Sequence, residues 1–95
     1  MIYLKTDEEV ELMRRSNDLL GGSWAGVATV IRPGVTTAEL DEVAYEFLCD
    51  NGGIPSCLGY EGFPATLCTS VNEEVVHGIP CDKVILKEGD IVSVD

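Results

Sequence analysis

The chain changes its hydrophobic period halfway along. From Val10, apolar residues recur at Met13, Leu20, Trp24, Val27 and Ile31, in steps of three, four or seven that fit one face of an α-helix. Thr6-Asp7-Glu8-Glu9 ahead of this stripe has capping-box spacing, with Thr6 as N-cap and Glu9 at the third helical position. Asn17 interrupts the stripe, and Gly21-Gly22 lies within it. Each glycine costs a helix interior about 1 kcal/mol, so the pair signals close packing against a neighbour or a local weak point. Arg32-Pro33-Gly34 predicts the end of the helix, because proline removes a donor and restricts the residue before it. A second capping box, Thr36-Thr37-Ala38-Glu39, opens a second stripe of Leu40, Val43, Ala44, Phe47 and Leu48, and Asn51-Gly52-Gly53 supplies a left-handed stop.

The second half reads differently. Pro55, Gly59, Gly62 and Pro64 break up Ile54 to Pro64 into a loop. Thr66 to Val71 alternates and is rich in strand formers. Glu74 to His77 reads as a short strand or a bulge ahead of the Gly78-Ile79-Pro80 turn, Lys87 to Asp90 as a turn, and Ile91 to Asp95 as a strand. The order is helix, helix, loop, strand, turn, strand: an α/β (α+β) arrangement of two amphipathic helices followed by antiparallel strands. An isolated two-stranded hairpin is marginal in water. The apolar run Ile91-Val92-Ser93-Val94 has no following turn and no visible later partner. Residues 1–95 therefore read as a single partial domain, truncated relative to a larger fold.

Composition narrows the function. Ninety-five residues make one domain at most, and a chain this short buries roughly 60–65% of its unfolded surface. A hydrophobic content of 45% argues against disorder. The net charge is −11, from 17 acids and 6 bases, which argues against nucleic acid or an anionic membrane as partner. The N-terminus lacks the basic and apolar regions of a secretory signal. No segment approaches the roughly 20 apolar residues of a membrane span. Cys49, Cys57, Cys68 and Cys81 form no C-x-x-C pair. They read as free thiols in a cytoplasmic protein.

Two residues stand out chemically. His77 is the only histidine, held by a Gly-Pro turn, and is a candidate acid, base or hydrogen-bond donor. The plainer alternative is a turn histidine bonded to backbone. Asp95 ends an apolar strand, where a buried carboxylate needs a cation or a metal as partner. The plainer alternative is an ordinary strand-end carboxylate.

Three blocks in order, Cys57-Leu58-Gly59-Tyr60-Glu61-Gly62-Phe63-Pro64, Ser70 to Pro80, and Leu86 to Asp95, closely resemble the bacterial-type (type I) methionine aminopeptidases. Lys5-Thr6 with its helix, and Arg32 to Asp41, resemble that family as well, so the likeness spans essentially the whole chain. The resemblance implies the N-terminal part of a pita-bread fold, the catalytic domain of a dinuclear metalloaminopeptidase. Such an enzyme removes the initiator methionine from nascent proteins. It implies two divalent ions, drawn from cobalt, manganese, iron or zinc, held by two Asp, one His and two Glu. Two cations about 3.5–4 Å apart can hold a bridging hydroxide and polarise the scissile carbonyl, and oxygen-rich ligands suit such ions.

Asp95 matches the first Asp ligand; the other four lie later in the family's sequence, beyond Asp95. His77 matches a histidine that contacts the substrate amide and stabilises the tetrahedral intermediate. Cys57, Tyr60, Phe63 and Cys68 match positions lining the methionine pocket, and core packing is their plainer reading. Phe63 stands where many members carry Tyr, and Glu61 where some carry His. Asn72 and Glu74 match positions that bind a monovalent cation in some members. The partners implied are N-terminal Met peptides, the ribosome, and a complementing C-terminal segment without which residues 1–95 are inactive. Other expectations compatible with the sequence are a non-catalytic truncated module that binds a partner chain or peptide, a split enzyme completed by a second chain, and a related peptidase acting before proline.

Overall fold

Both capping boxes form as the sequence predicts, and they set the two helices. In the computed structural model, which describes all residues from Met1 to Asp95, α1 spans Asp7–Val30 and α2 spans Thr37–Asp50. The Thr6 hydroxyl accepts from the Glu9 amide at 3.2 Å while the Thr6 amide donates to Glu9 Oε1 at 2.9 Å. Thr36 and Glu39 repeat the exchange at 3.1 and 3.4 Å. Gly34 and Gly52 take φ of +95° and +79° in the two breaks that follow the helices, the left-handed region that favours glycine. The glycine pair splits in role. A Cβ on Gly22 would sit 2.6 Å from the Phe47 ring, so α2 approaches there because no side chain intervenes; Gly21 has nothing within 4 Å.

The core is Val27, Val35, Leu40, Ala44, Leu67 and Leu86, with Trp24, Val30, Val43, Val71, Val92 and Val94 packed against it. Cover reaches only the second half of α1. Every residue from Met1 to Asp18 is exposed. Val10, Met13, Leu20 and Ile31 of the predicted stripe are each at least 40% exposed, and only Val27 is buried. α1 has 24 residues and α2 has 14, so at 1.5 Å per residue about 15 Å of α1 extends past α2.

The sheet has two antiparallel strands, β1 Thr69–Val71 and β2 Val92–Val94, paired Thr69 to Val94, Ser70 to Ser93 and Val71 to Val92. Both are shorter than the predicted 66–71 and 91–95. One further pair of backbone bonds joins Cys68 and Asp95, at 2.7 and 2.9 Å. Glu74–His77 is neither strand nor bulge. Asn72 turns the chain at φ +53°, Glu74 Oε1 accepts from the Val71 amide, and Val75 and Val76 point outward. The predicted loop at 54–64 contains a 3-10 turn at Tyr60–Gly62.

The return segment is sewn to the start of α2. The Thr37 hydroxyl accepts from the Cys81 amide at 2.9 Å and donates to the Cys81 carbonyl at 3.1 Å. The backbones of Gly34 and Val35 bond that of Leu86, each at 2.8 Å. These bonds fix where the chain re-enters to form β2.

Candidate active site

Strand alternation separates the core from the site. Val71, Val92 and Val94 face the core, so Cys68 and Asp95 face the other way, into a cavity of about 580 Å³. Its walls are Cys57, Tyr60, Glu61, Gly62, Phe63, Pro64, Cys68, His77, Ile79 and Asp95. All six side chains singled out from the sequence, His77, Asp95, Cys57, Tyr60, Phe63 and Cys68, line this one cavity although they span 39 positions of sequence.

Hydrogen bonds fix several of the segments that carry them. Asp41 Oδ1 on α2 accepts from the Leu67 amide at 2.6 Å, tying the approach to Cys68 against the helix. The Gly59–Gly62 turn carries Tyr60 outward and leaves Phe63 half-buried. The His77 loop is latched to β1: the Thr69 amide donates to the Gly78 carbonyl at 2.8 Å, and the Gly78 amide donates to Ser70 Oγ at 3.0 Å. A Cβ at position 78 would overlap the Thr69 carbonyl, so only glycine allows this approach. His77 itself takes φ +59°, an uncommon conformation for a side-chain-bearing residue and one that clusters at functional sites.

Neither ring nitrogen of His77 has a hydrogen-bond partner within residues 1–95. The ring is exposed and free to meet a ligand. The Asp95 carboxylate is also exposed and makes no hydrogen bond or ion pair. Burial pushes the Cys68 thiol up from its ordinary value, with smaller contributions from nearby Cys57 and Asp95, and all four cysteines are free thiols.

A metal ion needs several ligands, and residues 1–95 contain no group of three or more His, Cys, Asp or Glu able to hold one. Asp95 can supply one oxygen ligand; the segment by itself does not make a metal site. At the expected monovalent-cation positions, Asn72 Oδ1 accepts from the Ile91 amide and Glu74 Oε1 from the Val71 amide.

Residues 11–95 match the profile of metallopeptidase family M24. The chain belongs to this family. The M24 chain is 50% identical over 95 residues to the methionine aminopeptidase of Clostridium acetobutylicum, covering 100% of itself and 38% of that relative. Among solved structures, methionine aminopeptidase from Rickettsia prowazekii superposes with a TM-score of 0.94 at 39% identity, over 100% of the M24 chain and 38% of that one. The Thermotoga maritima enzyme gives 0.94 at 39% identity, over 99% and 38%. The M24 chain thus spans under two-fifths of the length of these relatives and has the fold of that part of the pita-bread peptidases. The resemblance to methionine aminopeptidases seen in the sequence is borne out.

Glu61 is the site residue that sequence reasoning left without a role. Its φ of +48° between Gly59 and Gly62 was signalled only by those flanking glycines. Gly78 is the other, since His-Gly-Ile-Pro does not reveal that the missing Cβ faces a β1 carbonyl.

Proposed function

We propose that residues 1–95 form the N-terminal part of the catalytic domain of a cytoplasmic, metal-dependent aminopeptidase that removes the initiator methionine from nascent proteins. The observation that carries this reading is the convergence of His77, Asp95 and an apolar wall on one cavity. The wall of Cys57, Tyr60, Phe63 and Cys68 suits an unbranched thioether side chain, being apolar and sized for a small ligand. On this reading His77, exposed and without a partner in residues 1–95, donates a hydrogen bond to the peptide carbonyl and to the oxyanion that develops from it. Asp95 presents a free carboxylate as one metal ligand, and the remaining ligands come from a complementing C-terminal segment. A divalent pair, when bound, supplies an activated water and carbonyl polarisation.

The test uses the complete gene product that carries these residues, loaded with Mn(II) or Co(II) and given a Met-Ala-Ser peptide. Methionine release is expected. His77→Ala should lower kcat by roughly 10²–10⁴-fold, the range of a positioned proton donor, and Asp95→Ala should lower metal affinity measured by calorimetry. Absence of release, together with tight capture of a partner chain, would favour the non-catalytic module instead. Release from a Gly-Pro peptide but not from Met-Ala-Ser would favour the proline-directed relative.

A further inference from the structure

The cavity wall contains two carboxylates, Glu61 and Asp95, and no lysine or arginine. Asp95 is accounted for under the reading above, on which this inference rests. Glu61 is not. Its carboxylate makes no hydrogen bond and no ion pair within the chain, and its side chain is exposed, whereas Cys57 and Phe63 are half-buried and Cys68 is buried. Glu61 therefore lies on the exposed part of the cavity wall, with Tyr60, His77 and Asp95, and away from the buried Cys68. The backbone at Glu61 is held in the left-handed region, between two glycines that share that region, so the carboxylate is displayed by a fixed turn.

We propose that Glu61 is a specificity-determining residue that favours peptide substrates carrying a basic side chain a few residues beyond the N-terminal methionine, and disfavours acidic ones. The contact lies away from the bond that is cut, so it is made alike in ground and transition states and acts on KM rather than kcat. An exposed ion pair of this kind is worth about two- to fivefold at low salt, and the preference fades as the Debye length falls from about 30 Å at 0.01 M towards 3 Å at 1 M.

The experiment compares kcat/KM for Met-Ala-Ser-Lys, Met-Ala-Ser-Gln and Met-Ala-Ser-Glu peptides on the complete gene product and its Glu61→Gln and Glu61→Lys variants, at low and high salt. The expected result is a Lys-over-Glu preference of at least about fourfold, both arms combined. It should shrink several-fold in Glu61→Gln, invert in Glu61→Lys, and collapse at 1 M salt. A ratio unchanged in both variants overturns this proposal while leaving the peptidase reading intact, because the neutral peptide is still cut. No release from the neutral peptide overturns the peptidase reading and this proposal with it.

Discussion

At the scale of single residues, two contacts decide where the site atoms sit. Gly78 lets the His77 loop touch β1, and Gly78→Ala puts a methyl group onto the Thr69 carbonyl. Backbone cannot yield as a flexible side chain would, so the loop must detach. The expected result is loss of the Thr69–Gly78 bond, seen as fast amide exchange at Thr69, with a cost of about 1–3 kcal/mol for the strain and the lost bond. Unchanged protection at Thr69 would contradict the role given to Gly78. The second contact is Asn72, whose side chain donates to Asp90 Oδ1 at 3.0 Å and accepts from the Ile91 amide at 3.0 Å. The Asn72 hydrogen bond, then the Lys87 amide, holds the Asp90 carboxyl below its ordinary value. A depressed carboxylate contributes stability that is present above its unfolded pKa and lost as pH falls through its folded pKa. Asn72→Ala should therefore raise the Asp90 pKa towards its ordinary value in a carbon-detected NMR titration, and should flatten the acid limb of the stability profile. The same side chain anchors β2 one residue before the Val71–Val92 pair. A slip of one residue there would turn Asp95 away from the cavity.

At the scale of elements, the helices were legible because their signals are local. Thr6 and Glu9, or Thr36 and Glu39, need only three residues of context, and both boxes close as written. What the stripe of α1 could not convey is which part of it would be covered, since cover is supplied by elements distant in sequence. The strands were legible as apolar runs, but their ends are set by partners distant in sequence, and Glu74–His77 was lost to the left-handed turn at Asn72. The cavity followed the same rule. Its members were identifiable through the ordered resemblance, yet the exposed position of Glu61 on its wall needs the 3-10 turn to be seen. The packing makes a prediction of its own. Leu40 and Ala44 are fully buried between the helices and the return segment, while Val10 and Leu12 touch little. Leu40→Ala should cost about 2–5 kcal/mol by denaturant unfolding, and Leu12→Ala less than about 0.5 kcal/mol. Similar costs at both positions would mean that α1 is covered along its whole length in solution.

At the scale of the whole molecule, the 95 residues are less closed than a domain of their size. The radius of gyration is 14.7 Å, against about 12.4 Å for a compact chain of this length. The accessible surface is 6922 Å², against roughly 5,300 Å² for a compact 10.2 kDa protein. The excess of about 1,600 Å² is roughly twice what one partner contributes to a standard protein–protein interface, and the exposed apolar residues include Ile2, Tyr3, Leu4, Leu12, Ile54, Val75 and Ile91. Covering half of that area as apolar surface contributes roughly 20 kcal/mol before the opposing entropy of ordering is counted. A polypeptide of residues 1–95 expressed by itself should accordingly behave as a loosely packed state. It should bind ANS, show helical far-UV dichroism with weak near-UV signal, and unfold over a broad range. It should also release no methionine with Mn(II) or Co(II), since it contains no group of three His, Cys, Asp or Glu able to hold a metal ion. Joined to the remaining 62% or so of the Clostridium acetobutylicum relative's sequence, the same residues should lose ANS binding and gain a sharp thermal transition. That gain can be scored without any activity assay. A sharp transition and full near-UV signal from residues 1–95 by themselves would show that the excess surface is tolerated, and that the cavity needs no covering partner to hold its shape.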